Sequence, residues 1–200
     1  MSFSVYVTYW DNDPYDQIND MIQKGAIKAK TRVILAFASF NFVSVQYIPG
    51  FGSITMQEVK EIVDLVHSVD AFISLSVGGA TYPLYNSDMY QYPGELAANI
   101  NGVLEQLGFD GVDFDIEDSA SVVPADFATT AASLINSLRS INPTLYISLT
   151  TPAQAWSSTM YQRQLLDLTI GNVDAWQPME YDLWIDPSST YAEQIQWDIT

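Results

Sequence analysis

An α/β fold built on a parallel sheet is predicted for this chain by three observations. Short, nearly continuous apolar runs recur along it, helical periodicity fills the gaps between them, and no hairpin signal interrupts the alternation. Runs of that kind belong to parallel strands covered on both faces. Both an open doubly wound sheet and a closed barrel satisfy the alternation, and periodicity alone does not separate them. The chain has 200 residues, enough for one domain with a substantial core, and single α/β barrels commonly run to about 250.

The elements follow in order. Phe3, Val5 and Val7 alternate with polar or aromatic neighbours up to Trp10, after which Asp11-Asn12-Asp13-Pro14 reads as a strand feeding a loop. Thr31 to Ala38 and Ala71 to Val77 are the second and third strands. Between them Thr55-Met56-Gln57-Glu58 is a capping box, followed by Val59, Ile62, Val63 and Val66 at helical spacing up to His67. A helix from about Pro93 carries Leu96, Ile100, Val103 and Leu107, with Gly108 as its stop, and Phe109 to Glu117 is the fourth strand. Helical spacing from Ala125 to Leu138 precedes a fifth strand at Leu145 to Thr150. A helix near Tyr161 to Leu168 precedes a sixth strand at Val173 to Tyr181, and Thr190 with Glu193 opens another capping box. No linker, low-complexity tract or internal repeat divides the chain, so residues 1–200 read as one domain.

Composition removes several classes of function. Acidic residues outnumber basic ones 24 to 7, a formal charge of -17, which leaves no basic patch for nucleic acid. With no cysteine there are neither disulfides nor thiolate metal sites. No apolar run approaches the roughly 20 residues of a membrane span, and Ser2 to Trp10 reads as a strand rather than a signal segment. A nucleotide-binding sheet would place a glycine-rich turn after the first strand, where Asp11-Asn12-Asp13-Pro14 offers none.

The chemistry concentrates in Asp110-Gly111-Val112-Asp113-Phe114-Asp115-Ile116-Glu117, where acids alternate with apolar residues at the end of a strand. Period two puts Asp113, Asp115 and Glu117 on one face and Val112, Phe114 and Ile116 on the other. Three carboxylates on one side of a buried strand cannot all ionise comfortably, so at least one pKa must rise, which is how a carboxyl becomes a general acid near neutral pH. Glu117 is the outermost of the three and the candidate proton donor. The competing readings are a solvated acidic strand end and a divalent-cation site. A calcium loop starting at Asp113 would need glycine and glutamate where Asp118 and Pro124 stand.

The stretch Asp110 to Glu117 matches in full the Asp-Gly-x-Asp-x-Asp-x-Glu signature of glycoside hydrolase family 18, and the chain resembles that family of chitinases and endo-N-acetylglucosaminidases. Ser76-Val77-Gly78-Gly79 is similar to the family's Ser-x-Gly-Gly, and Met179-Glu180-Tyr181-Asp182 to its Met-x-Tyr-Asp, in the same order. The resemblance implies a (β/α)8 TIM-type barrel, here ending after about the sixth strand, and exposed barrel edges that predict self-association. It implies a secreted protein without metal or organic cofactor, acting on chitin or another oligosaccharide of N-acetylglucosamine by a substrate-assisted retaining mechanism. Glu117 would be acid and base, Asp115 would orient the 2-acetamido group, Asp113 would share a proton with Asp115, and Tyr181 would hold the acetamido oxygen. Asp182, Met179, Ser76, Gly78 and Gly79 are the further substrate-site candidates. Sugar rings stack on aromatic side chains; of Tyr9, Trp10, Phe37, Trp156 and Trp184, near inferred strand ends, Tyr9 and Trp156 are the choices. The alternative within the same fold is a lectin-like protein that binds such sugars without hydrolysing them.

Overall fold

The computed structural model describes residues 4–10, 13–43, 46–52, 54–80, 84, 92–118, 122–152 and 161–179, with residues 41–43 and 46–49 given by backbone alone. The strands are β1 (Ser4–Thr8), β2 (Arg32–Val43), β3 (Gln46–Gly50), β4 (Phe72–Gly78), β5 (Gly111–Asp115), β6 (Tyr146–Pro152) and β7 (Ala175–Met179). The helices are α1 (Pro14–Gln23), α2 (Met56–His67), α3 (Pro93–Leu107), α4 (Phe127–Ile141) and α5 (Tyr161–Thr169). Six strands run parallel in the order β1-β2-β4-β5-β6-β7.

One contact shows that this sheet is curled rather than open. β1 and β6 are four strand intervals apart, which is about 19 Å across a flat sheet. Yet the Tyr6 hydroxyl of β1 lies 2.8 Å from Thr150 Oγ1 of β6. The six parallel strands therefore form part of a barrel wall, and their inner side chains meet across its interior.

The inner and outer faces differ sharply in chemistry. Outward-facing Val112, Phe114 and Ile116, with Ile147 and Leu149 of β6, are wholly buried against the helices. Ile62 and Val66 of α2, Ile100 of α3 and Leu138 of α4 cover them from outside. Facing inward are Tyr6, Ser76, Asp113, Ser148 and Thr150, which are joined by hydrogen bonds. The apolar core thus lies between sheet and helices, and the barrel interior is polar around Asp113, with Ile34 and Ala36 of β2 among its buried apolar residues.

Local signals account for most element boundaries. Asp13 caps α1 by accepting from the Tyr15 N–H at 2.9 Å, and Pro14 occupies the first turn, where its missing N–H costs nothing. Thr55 and Glu58 form the expected capping box on α2. Gly108 ends α3 in the left-handed conformation, with φ of 83°. β5 is confined to Gly111–Asp115, so Glu117 stands just beyond it.

Two features differ from the sequence expectation. The first strand feeds a helix, α1, whose Asp-Pro start serves as a cap rather than a plain loop. β3 turns back antiparallel along β2, pairing Ser39 with Gly50 and Val43 with Gln46, so one hairpin does interrupt the alternation. The strand expected to stop at Ala38 runs on to Val43 because Ser39-Phe40-Asn41-Phe42-Val43 continues the alternation of polar and apolar residues. The capping box at Thr190 and Glu193 lies outside the described residues.

Candidate active site

A cleft of about 440 Å³ opens at the C-terminal ends of the parallel strands, a size usual for small-ligand sites. Tyr6, Thr8 and Trp10 come from β1 and its exit, Phe37 from β2, and Asp115 and Glu117 from the end of β5. Thr150 of β6 and Gln177, Pro178 and Met179 of β7 complete the lining. This is the end of a parallel barrel where catalytic groups ordinarily sit.

Asp113 is fully buried and lies beneath the cleft. Its Oδ2 accepts hydrogen bonds from Tyr6 at 2.9 Å and Ser76 at 2.8 Å. Its Oδ1 accepts from Ser148 at 2.6 Å, Thr150 at 2.9 Å and, more loosely, the Gln177 amide at 3.4 Å. Burial drives its pKa upward, and the four hydroxyls oppose that rise.

Asp115, one step nearer the mouth, is also buried, and its Oδ1 has no hydrogen-bond partner among the described residues. Burial and then the neighbouring charges of Asp113, Glu117 and Asp118 push its pKa up to about 8. It therefore holds a proton at neutral pH. The neighbouring Asp113 acts on it through charge, while the described donors to Asp113 are hydroxyls and an amide from other strands.

Glu117, partly exposed, accepts a hydrogen bond at Oε1 from the backbone N–H of Ala80 at 3.0 Å. That contact explains Ser76-Val77-Gly78-Gly79. Gly78 and Gly79 adopt φ of 113° and 79°, which bends the chain past β5, and the Gly79 N–H donates to Asp115 O at 2.9 Å. A Cβ on Gly78 would stand 2.1 Å from Asp115 O, and one on Gly79 would stand 2.7 Å from the Phe37 ring. Ser76, Gly78 and Gly79 do not line the cleft; they hold the acids.

The aromatic choice also moves. Tyr9 is buried, donates its hydroxyl to Phe37 O and packs its ring over Gly52. The neighbouring Trp10 is 52% exposed and stacks on Phe37, with ring centroids 5.7 Å apart and planes 21° apart. Met179 lines the cleft as a member of β7. Tyr181, Asp182, Trp156 and Trp184 lie outside the described residues.

Tyr6, Ser148 and Thr150 were not among the site residues expected from sequence, although strand parity points to them. Tyr6 alternates with Val5 and Val7, and Ser148 and Thr150 alternate with Ile147 and Leu149, so each faces the interior with the acids. Among the described residues, no three His, Asp or Glu side chains converge as metal ligands would.

A partial parallel barrel with a graded row of carboxyls at its mouth is the arrangement of a glycosidase fold. The model of the glycosyl hydrolases family 18 matches residues 3–198, and the chain belongs to that family. No curated protein sequence matches the chain. Its fold is similar to that of a GH18 chitinase from Pseudoalteromonas aurantia, with a TM-score of 0.72 and 20% identity, covering 98% of this chain and 73% of that one. A class V chitinase from Nicotiana tobaccum superposes with a TM-score of 0.73 at 15% identity, covering 98% of this chain and 62% of that one. The catalytic domain of a hyperthermophilic chitinase from Pyrococcus furiosus gives 0.70 at 19% identity, covering 99% of this chain and 64% of that one. The chain thus spans less than two thirds of the latter two structures.

Proposed function

We propose that this chain carries the acid/base site of a retaining glycosidase that hydrolyses β-1,4-linked N-acetylglucosamine polymers with assistance from the substrate. The observation that carries this reading is the gradient of environments along β5: Asp113 is sealed among hydroxyls, Asp115 is buried and protonated, and Glu117 borders the cleft. Carboxyls placed in unlike surroundings are the usual ground for separate acid and base roles. The class of ligand is suggested by a similar structure, catalytic-site mutants of a Pyrococcus furiosus chitinase complexed with chito-oligosaccharides.

In this mechanism Glu117 protonates the glycosidic oxygen as the bond from the anomeric carbon to that oxygen breaks. The carbonyl oxygen of the substrate's 2-acetamido group attacks the same carbon, giving a cyclic oxazolinium ion. Glu117, now a carboxylate, removes a proton from water, which opens the ring with overall retention. Asp115 accepts the acetamido N–H on its Oδ1, an acceptor without a partner among the described residues. Tyr181 binds the acetamido oxygen and Asp182 contacts the sugar. The Trp10–Phe37 stack offers an exposed aromatic face to a pyranose ring.

The test is hydrolysis of a fluorogenic N,N'-diacetylchitobioside by the chain and by its Glu117→Gln variant, with chito-oligosaccharide binding measured by calorimetry. The variant is expected to lose roughly 10²–10⁴-fold or more in kcat while still binding the sugar. Equal turnover in both proteins would remove Glu117 from the reaction. Sugar binding without turnover in either would favour the lectin-like alternative.

A further inference from the structure

The hydroxyls around Asp113 come from three strands, and counting their protons assigns a role to two of them. Ser148 and Thr150 of β6 stand level with Asp113 and Asp115 of β5. Ser148 Oγ donates to Asp113 Oδ1 at 2.6 Å, and Thr150 Oγ1 donates to the same oxygen at 2.9 Å. Thr150 Oγ1 also lies 2.8 Å from the Tyr6 hydroxyl, which reaches Asp113 Oδ2 at 2.9 Å. Tyr6, Thr150 and the Asp113 carboxyl therefore make three mutual contacts with only two hydroxyl protons between them.

With Asp113 ionised, both of those protons turn to the carboxylate. Ser76 and Ser148 add two more, giving four hydroxyl donors for a group with about four lone-pair sites. With Asp113 protonated, its own proton enters the ring, Tyr6 and Thr150 rotate, and each of the three contacts carries one proton. Asp113 is thus hydrogen-bonded in either state, but the anion accepts from four hydroxyls at once and the acid from three.

From this geometry we infer that Ser148 and Thr150 are positioning residues that hold Asp113 as the anion of the acid pair and leave the exchangeable proton on Asp115. The catalytic consequence rests on the glycosidase reading; the effect on Asp113 rests on the ring alone. Among the described residues, the charged or titratable groups near Asp113 are Tyr6 on β1, Asp115 on β5, which Glu117 in turn faces, and Tyr146 on β6, over whose ring Arg32 of β2 lies. β4 and β7 contribute only the uncharged Ser76 and Gln177. Among the described residues no cation reaches Asp113 by a hydrogen bond, and hydroxyls do the work that an arginine or lysine would do elsewhere.

The sign of the effect follows. Removing a donor raises the energy of every state with Asp113 ionised more than that of the doubly protonated pair, because a hydrogen bond to a carboxylate is stronger than one to a neutral carboxyl. The pair should then gain its second proton at a higher pH, and the acid limb of kcat/KM should move upward with it.

The experiment is a carboxyl ¹³C NMR titration of the chain, its Thr150→Val and Ser148→Ala variants, and Thr150→Ser. Asp113 is expected to titrate about one pH unit higher in the first two and to return to its original position in Thr150→Ser. The acid limb of chitobioside hydrolysis should follow, with KM little changed. Coincident Asp113 titrations in folded Thr150→Val and Ser148→Ala would overturn the assignment, even if both variants lost stability. If the titrations shift as expected in a chain without hydrolytic activity, the positioning role stands and the glycosidase reading falls. The two positions supply independent tests should one variant fail to fold.

Discussion

At the scale of single residues, the site works by placing identical chemical groups in unlike surroundings. Asp113 and Asp115 are two positions apart on one strand, yet one is surrounded by hydroxyls and the other has a buried oxygen without a partner among the described residues. The cost of the second can be measured. An acid whose folded pKa lies near 8, against about 4 unfolded, holds a proton in the native state that the unfolded chain has lost. Its contribution is therefore fully present below pH 4, declines as pH rises toward 8, and is absent above. Asp115→Asn should flatten that slope and stabilise the fold at pH 8 by on the order of a few kcal/mol, while impairing the proposed hydrolysis. Thermal unfolding from pH 4 to 9 decides it; parallel curves for the two proteins would show that Asp115 is not strained in the folded chain.

At the scale of elements, the first residue of the acid motif has a different task from the others. Asp110 donates its backbone N–H to Ile73 O at 2.9 Å and accepts the Ile73 N–H on Oδ2 at 2.8 Å, clamping β5 to β4 at two points. Asp174 repeats the device: its N–H donates to Ile147 O at 2.7 Å and its Oδ2 accepts from Ile147 N at 2.8 Å, joining β7 to β6. Side-chain donors hold each clamp in place, His67 on Asp110 at 3.0 Å and Arg139 on Asp174 at 2.6 Å. Asp110→Ala leaves the Ile73 N–H without its acceptor and should cost about 1–3 kcal/mol. Asp110→Asn keeps an acceptor oxygen and should cost clearly less. Urea unfolding ranks the two, and equal losses would show that the side chain merely fills space.

Much of this level was legible in advance. Period two separated the acids from the aliphatic residues of β5, and capping chemistry located α2 and the end of α3. What was missed depends on contacts between distant segments. Nothing local in Tyr6 says that it will meet Thr150, since that contact exists only once the sheet has curled. Likewise, the choice of Tyr9 over Trp10 turned on which of two adjacent aromatics the exit of β1 would bury, which Gly52 and the Phe37 carbonyl decide from elsewhere in the chain.

For the whole molecule, charge is the dominant collective property. Twenty-four acidic residues outnumber seven basic ones and repel one another in the compact state, and among the described residues pairs such as Asp20 with Lys24 and Asp167 with Arg163 sit on helix surfaces. Exposed pairs of this kind are worth little individually. Screening should therefore stabilise the fold: the Debye length shrinks from about 30 Å at 0.01 M salt to about 3 Å at 1 M. A gain of about 1 kcal/mol would appear as a rise of roughly 2–4 °C in Tm. A Tm that is flat or falls between those salt concentrations would mean that the surface acids are too dispersed to repel.

The alternation along β5 makes the strand an error-detecting element. Sliding it by one residue against its neighbours would send Val112, Phe114 and Ile116 into the interior and press Asp113, Asp115 and Glu117 against the apolar helices. A misplaced strand could not survive as a folded but silent protein, because the same slip that erased the chemistry would destroy the core. The register of the candidate site is thus tied to folding itself, and Asp110, which clamps the start of β5 to β4, stands at the position where that check is made.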